Sequence, residues 1–227
     1  MLSLALAGLF FIAIHLGVAG TSLRDRVVAL AGPRGYLALF SLASLAGIVW
    51  LAAAYRGSGY VPLWVAPEWW KLVADVLMLP AFVLVVAGLT TPNPTAVAQQ
   101  GLVGRAPQGI VQVTRHPFLI GVALWAVLHL VANGDAASVL FFGTLLIVAA
   151  AGPASIDAKR RRALGEHAWG VFASRTSILP FGAIAAGRAS LDLAGMGWWR
   201  LLAGVVAYAL FIGGHRHIIG VSPFPHW

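Results

Sequence analysis

The basic residues of this chain are concentrated in alternate gaps between long apolar segments, and this pattern constrains the fold more than any other feature. The chain is 60% hydrophobic and only 10% charged. A helix rises about 1.5 Å per residue, so about 20 apolar residues cross a hydrocarbon core of about 30 Å. Six segments of suitable length lie at residues 2–20, 36–55, 71–89, 117–133, 136–153 and 198–219. We therefore predict an all-α, polytopic membrane helical bundle that forms a single domain over residues 1–227.

The distribution of lysine and arginine predicts how this bundle is oriented. Cytoplasmic loops of membrane proteins carry an excess of these residues. The first, third and fifth gaps with their flanks hold twelve of the 15 lysines and arginines, and seven of these lie between Lys159 and Arg200. Both termini are therefore expected on the periplasmic side of a bacterial inner membrane. The same orientation explains the net charge of +8, so the expected partner is the lipid bilayer and not nucleic acid.

Local sequence signals refine the arrangement of the spans. Pro80 is expected to break the third span. Asn133-Gly134-Asp135 predicts a tight hairpin between the fourth and fifth spans. In the fifth gap, an apolar helical face lies opposite a basic run, which predicts a helix on the cytoplasmic membrane surface. This face consists of Leu164, Ala168, Val171 and Phe172.

Two histidines inside the predicted spans are candidate metal ligands. His15 lies in the first span and His129 in the fourth, about 8 Å and about 18 Å from the cytoplasmic edge by the helical rise. Ionisable residues within a membrane usually face the bundle interior, and neutral imidazole is a good ligand for iron. Imidazoles at these depths could bind opposite faces of one metal centre. The alternative is that each makes only an interhelical hydrogen bond. We interpret His215, His217 and His226 as solvated interfacial residues.

The sharpest local motif is Thr114-Arg115-His116-Pro117, at the start of the fourth span. Proline suits the first turn of a helix, where its missing N–H is not needed. Arg115 lies where the helix dipole and a guanidinium group together favour an anion, and Arg24 follows the first span on the same side. We interpret both arginines as candidate ligands for carboxylates or phosphates, and Arg115 and His116 as candidate catalytic residues. The alternative is a helix start with an arginine that only sets orientation.

Several stretches carry a resemblance to a known family. They are His15-Leu16-Gly17, Ser22-Leu23-Arg24-Asp25, Gly35-Tyr36, Thr114-Arg115-His116-Pro117, Leu124-Trp125-Ala126 with His129, Ala132-Asn133-Gly134-Asp135 and Gly220-Val221-Ser222-Pro223. Over nearly its whole length, the chain resembles the NnrU family of bacterial membrane proteins. The resemblance implies an inner-membrane protein associated with denitrification, in the handling of nitrite and nitric oxide. A hydrophobic or diatomic small molecule is the ligand that such a protein is expected to meet.

The chain is also similar to the zeta-carotene isomerases, which are membrane enzymes that bind haem b. The similarity covers the motifs at His15 and at Thr114 and the segment from Arg175 to Phe181. It implies a redox-gated cis–trans isomerisation of a polyene, with His15 and His129 as the iron ligands of haem b. Our own candidates for the propionates are Arg24 and Arg115, and His116 is the reserve ligand.

Other functions stay open at this point. The isomerases carry paired histidines where this chain has residues 146–151, and a further histidine where it reads Tyr55-Arg56-Gly57, so zeta-carotene isomerisation itself is an alternative. A third similarity, to the isoprenylcysteine and phospholipid methyltransferases, rests on the helix start at Arg115 and on Leu164-Gly165-Glu166. It implies S-adenosylmethionine as cofactor, with Glu166 and His116 as matching positions. A non-enzymatic assembly protein is the remaining alternative.

Overall fold

The computed structural model describes residues 1–225, which form helices joined by loops. His226, interpreted above as interfacial, lies outside this range. Within it, ten α-helices follow one another along the chain. They are α1 Leu2–Ile12, α2 Leu23–Arg56, α3 Trp69–Thr90, α4 Ile110–Val113, α5 Pro117–Asn133, α6 Ala136–Leu164, α7 Glu166–Ser174, α8 Gly182–Ala185, α9 Leu193–Met196 and α10 Trp198–Ile219. A π-helical segment, Ala13–Val18, continues α1. The predicted all-α fold is thus confirmed for residues 1–225.

Four of these helices are long and apolar enough to cross a membrane, namely α2, α3, α6 and α10. The apolar segment Leu2–Val18 and helix α5 are shorter. Helices α5 and α10 begin and end at the residues predicted for the fourth and sixth spans. The chain therefore has the helices of a membrane protein, and the number of six spans stays a prediction.

Two helices differ from the predicted spans because of how they accommodate proline. Helix α3 runs through Pro80 without ending, so the predicted break is wrong; membrane helices tolerate proline where neighbouring groups satisfy the freed backbone. Helix α2 begins at Leu23, well before residue 36. It is kinked at Gly32, which has a φ of +73° directly before Pro33. Glycine adopts this φ without the steric clash that a side chain would meet.

The fifth predicted span and the predicted surface helix are also divided differently. Helix α6 continues past Pro153 through the basic run to Leu164, because lysine and arginine are good helix formers and are favoured near a helix C-terminus. Helix α7 then buries Trp169 and Phe172 completely in a cluster with Ile110, Val111 and other apolar residues. Part of its apolar face therefore contacts protein, whereas Val171 is 45% exposed, and its position on the membrane surface stays a prediction.

Contacts within the chain divide it into two compact units. The first unit comprises Met1–Ala66 and Ala126–Ser155, and the second comprises Pro67–Trp125 and the chain from Ile156 onward. The first unit has a core of Leu4, Ala7, Leu51 and Ala137. The core of the second contains Ala87, Ile110, Val111, Val113, Trp169 and Phe172. Each unit contains candidate functional residues predicted from the sequence.

The predicted hairpin between the fourth and fifth spans is confirmed in the first unit. Helix α5 ends at Asn133, Gly134 has a φ of +65°, and α6 begins at Ala136. The Asp135 carboxylate accepts hydrogen bonds from the backbone amides of Ala137 and Ser138, both at 3.0 Å. These bonds satisfy two of the amides that a helix start leaves unpaired, so a side chain fixes the turn.

Candidate functional site

Arg115 and His116 meet a common partner, Asp157, in the second unit. The Arg115 guanidinium donates to Oδ2 of Asp157 from Nε at 2.9 Å and from Nη2 at 2.5 Å. His116 donates from Nε2 to Oδ1 at 2.7 Å. The side chains of Arg115, His116 and Asp157 are only 12%, 1% and 14% exposed. We call these three residues the Asp157 cluster. Both oxygens of its carboxylate accept hydrogen bonds from nitrogen donors, and hydrogen bonds between ionised partners are among the strongest.

The segment after α3 holds the backbone of Arg115 by hydrogen bonds. The carbonyl oxygen of Arg115 accepts from Asn93 Nδ2 at 2.9 Å and from Thr95 Oγ1 at 2.8 Å, and both donors are buried. Arg160, one turn after Asp157 on α6, donates to the carbonyl of Pro94 at 2.8 Å. These hydrogen bonds fix the backbone of Arg115 and join α6 to the segment after α3.

A second segment, after α7, holds the same motif from the other direction. Arg115 donates its backbone N–H to the carbonyl of Ser177 at 2.9 Å. The hydroxyl of Thr114, which is fully buried, donates to the carbonyl of Ile178 at 2.7 Å. It also accepts from the backbone amide of His116 at 3.3 Å, which fixes the residue directly before α5. These bonds fix the motif at the start of α5.

The Asp157 cluster has the composition of a histidine–carboxylate pair. Asp157 fixes the His116 imidazole with the proton on Nε2, which leaves Nδ1 as the nitrogen able to accept a proton. The same carboxylate is bound by the Arg115 guanidinium, whose charge neutralises it. The cluster can therefore orient an imidazole, and it can equally act as a buried ion pair that joins α6 to the start of α5.

His15 lies in the first unit, within the π-helical segment Ala13–Val18. Its ring lies 4.1 Å from the ring of Phe11 and edge-on to Phe40 at 5.2 Å. Nδ1 donates to the carbonyl of Phe11 at 2.8 Å. Metal-ligating histidines usually donate their second ring nitrogen to a carbonyl or carboxylate in this way, and π-helical turns are frequent at functional sites. The nitrogen of His15 that could bind a metal is therefore Nε2.

His129 and Arg24 belong to the same unit as His15. The half-buried ring of His129 stacks on Phe142, with centroids 4.9 Å apart and an interplanar angle of 19°. The Arg24 guanidinium pairs with Asp25 at 3.0 Å and lies 5.2 Å from the centre of the Tyr36 ring. The predicted site residues thus fall into two groups, with His15, His129 and Arg24 in the first unit and Arg115 and His116 in the second.

The first unit contains imidazole donors of the kind that haem requires from a protein. Residues 1–225 contain no group of three or more histidines and carboxylates placed to hold a bare metal ion. A porphyrin supplies its own equatorial nitrogens and needs only axial ligands from the protein. In addition, the Ser44 hydroxyl is buried without a hydrogen-bond partner, one helical turn from Phe40 on α2. Buried polar atoms are nearly always paired, so Ser44 is a second group that a bound molecule could satisfy.

Sequence reasoning found Arg115 and His116 but missed Asp157, Asn93 and Thr95. Asp157 lies 42 residues after Arg115 along the chain, so no local motif joins the two. One signal was available: Asp157 is an isolated acidic residue, two positions before a run of four basic ones. Asn93 precedes Pro94, which indicates a turn but not its contact with Arg115.

The chain was compared with known protein families, with curated proteins and with solved structures. A family model described as NnrU protein matches residues 3–223, which is nearly the whole chain and includes every predicted site residue. No curated protein and no solved structure matches the chain significantly.

Proposed function

This chain belongs to the NnrU family, and we propose that it is an inner-membrane protein that binds haem b through His15 and His129. The observation that supports this proposal best is the hydrogen bond from Nδ1 of His15 to the carbonyl of Phe11. That bond sets the tautomer in which Nε2 carries a lone pair, which is the form that ligates iron.

Further support comes from the surroundings of the two histidines. His15 and His129 belong to one compact unit, and each ring is packed against phenylalanine, His15 against Phe11 and Phe40 and His129 against Phe142. Apolar surroundings exclude water from a metal site and tune its potential. The resemblance to the haem-binding isomerases implies the same pair of ligands.

Arg24 is the proposed ligand for a haem propionate in the first unit. Its present partner, Asp25, is 67% exposed, and an exposed ion pair contributes at most about 1 kcal/mol. A propionate could therefore replace Asp25 at little cost, while the Tyr36 ring keeps the guanidinium in place. Arg115, the second propionate candidate, already binds a carboxylate of the protein.

When bound, haem b would supply redox chemistry, and a diatomic gas could bind the iron in place of one of the two histidines. We propose that this chemistry serves nitrite and nitric oxide metabolism, or a redox-gated isomerisation. Zeta-carotene isomerisation is one candidate for that reaction. The methyltransferase alternative has less support, because Glu166 is exposed and its partner is the exposed Arg161 at 3.4 Å.

A visible spectrum tests haem binding directly. The detergent-purified protein, expressed with haem supplementation, is expected to show a Soret band whose intensity falls in His15→Ala and in His129→Ala. His217→Ala is the matched control, because His217 is exposed near the end of α10; its band should equal that of the wild type. The proposal fails if the wild type shows no Soret band, or if both ligand variants keep it unchanged.

A further inference from the structure

The second unit contains a cavity of about 420 Å³ that is separate from the residues proposed to hold haem. We propose that this cavity binds a phosphate group carried on a small apolar body. The polar residues that carry the argument are Thr91, Arg105 and Arg200, and the apolar wall includes Pro92, Val111 and Phe172. All six residues lie in segments that the positive-inside pattern assigns to the cytoplasmic side of the membrane.

Two buried donor atoms of residues that line this cavity have no hydrogen-bond partner within residues 1–225. Thr91 is only 6% exposed, and its hydroxyl makes no hydrogen bond. The Nε of Arg200 is also buried without a hydrogen-bond partner. Buried polar atoms are nearly always paired, and an arginine can only donate. A ligand that satisfies both residues must therefore present acceptor oxygens.

The charge of the cavity favours an anion. Arg105 adds a second guanidinium group, which makes no ion pair or side-chain hydrogen bond within residues 1–225. No aspartate or glutamate lines the cavity. The carboxylate of Asp192, at the start of α9, instead accepts from the backbone amide of Gly195 at 2.8 Å. Two guanidinium charges without a counterion match a phosphate monoester, which carries about −1.5 to −2 at neutral pH, better than a single carboxylate.

The arginine on α10 is held in position before any ligand binds. The Arg200 guanidinium lies 4.7 Å from the centre of the Trp199 ring, and Nη1 donates to the carbonyl of Met196 at 3.4 Å. A cation packed on an aromatic face loses little further freedom when it binds an anion. The side chain is therefore preorganised for recognition of phosphate.

The remaining wall is rigid and apolar. Val111 and Phe172 belong to the buried core of the second unit. Gly109, with a φ of +54°, lies so close to Gly195 and Met196 that a side chain there would collide with their backbone. Such a wall suits an apolar body attached to the phosphate. A phospholipid headgroup and a soluble phosphate ester share this chemistry, and the experiment distinguishes them.

Binding is tested with the full-length protein in detergent by isothermal titration calorimetry. The soluble probe is glycerol 3-phosphate, the lipid probe is dihexanoyl phosphatidic acid, and the controls without phosphate are glycerol and dihexanoylglycerol. Saturable binding of a phosphate probe, with none of its control, supports the proposal. Binding of the soluble probe, with or without the lipid probe, indicates a soluble ester, whereas binding of the lipid probe alone indicates a headgroup. If neither phosphate probe binds at millimolar concentration, the proposal is overturned.

Two variants test the residues named. Thr91→Val and Arg200→Gln are each expected to weaken binding about tenfold or more, because each removes a donor to a charged oxygen. Arg162→Gln, an exposed arginine outside the cavity, removes the same charge and should leave the affinity unchanged. Thr91→Val should also unfold at a higher temperature than the wild type in the absence of ligand, since it removes an unpaired hydroxyl. Wild-type affinity in both folded variants would overturn the assignment.

Discussion

Asp157 determines which anion the Arg115 guanidinium binds. A guanidinium group at the start of a helix is suited to bind an external anion, and the local sequence supports that interpretation. The structure instead provides the anion internally, with both oxygens of Asp157 engaged by Arg115 and His116. A buried ion pair adds little net stability, but removal of one partner leaves the other charge buried and unpaired. The cluster is thus expected to respond asymmetrically to substitution.

Asp157→Asn should destabilise the protein by about 3 kcal/mol, because it leaves the Arg115 guanidinium buried without its counterion. Loss of helical circular dichroism during a titration with sodium dodecyl sulfate measures the effect. Asp25→Asn is the matched control, since Asp25 also pairs with an arginine but is 67% exposed, and the expected loss is below about 1 kcal/mol. Equal losses in the two variants would show that burial of the Asp157 cluster does not matter.

The residues of the candidate sites could be predicted only where the signal is local. Thr114-Arg115-His116-Pro117 is a contiguous motif, and His15 stands out as an imidazole within an apolar segment. The partners that define their chemistry come from distant segments: Asp157 follows Arg115 by 42 residues, and Phe40 lies on the helix after His15. Such pairs are set by tertiary packing, which a single sequence does not encode in a short pattern.

At the scale of the elements, predicted helix boundaries hold where the sequence has strong punctuation. Helix α5 lies between Pro117 and the turn at Gly134, and α10 lies between Gly197 and Gly220, whose φ values are +71° and +89°. Proline favours a first turn and glycine the left-handed residue after a last turn. Helices α6 and α7 are divided at Gly165, whose φ is +84°, but α6 extends beyond the predicted fifth span because the basic run continues the helix.

Close packing of α3 against α10 depends on glycine. A Cβ atom at Gly204 would lie 2.8 Å from Cα of Val83 on α3, closer than real contacts allow. At Gly213, on the same helix, a Cβ atom would meet no atom within 4 Å. Small residues let helices approach closely in membranes, where dispersion contacts rather than the hydrophobic effect drive association. The two glycines of α10 thus have different roles.

Gly204→Ala should destabilise the protein by about 1–3 kcal/mol, because the added methyl group forces the two helices apart. Gly213→Ala should be neutral or stabilising by up to about 1 kcal/mol, since alanine is the better helix former and has room. Unfolding midpoints of the two variants in the same detergent provide the comparison. If Gly204→Ala is as stable as Gly213→Ala, the close approach of α3 and α10 is not required for stability.

At the scale of the whole molecule, the arrangement of charges predicts six membrane crossings, whereas only four helices are clearly long enough to cross. Helices α2, α3, α6 and α10 are long enough to cross a membrane, whereas Leu2–Val18 and α5 are shorter. The alternation of basic gaps nevertheless predicts that all six segments cross, because six crossings place every basic gap on the same side of the membrane. The two shorter helices therefore decide the topology.

Cysteine labelling tests this topology in a chain that has no native cysteine. Six spans predict that Gly59→Cys and Ala132→Cys react with a membrane-impermeant maleimide in cells whose outer membrane alone is permeabilised. Ser22→Cys and Ser190→Cys should react only after the inner membrane is opened. All four positions are exposed, so differences in labelling report the side of the membrane and not burial within the protein.

Protection of Ala132→Cys would mean that α5 does not cross, and labelling of Ser22→Cys from outside would mean the same for Leu2–Val18. Either result would place the Asp157 cluster or His15 at a different depth from the one on which their proposed roles depend.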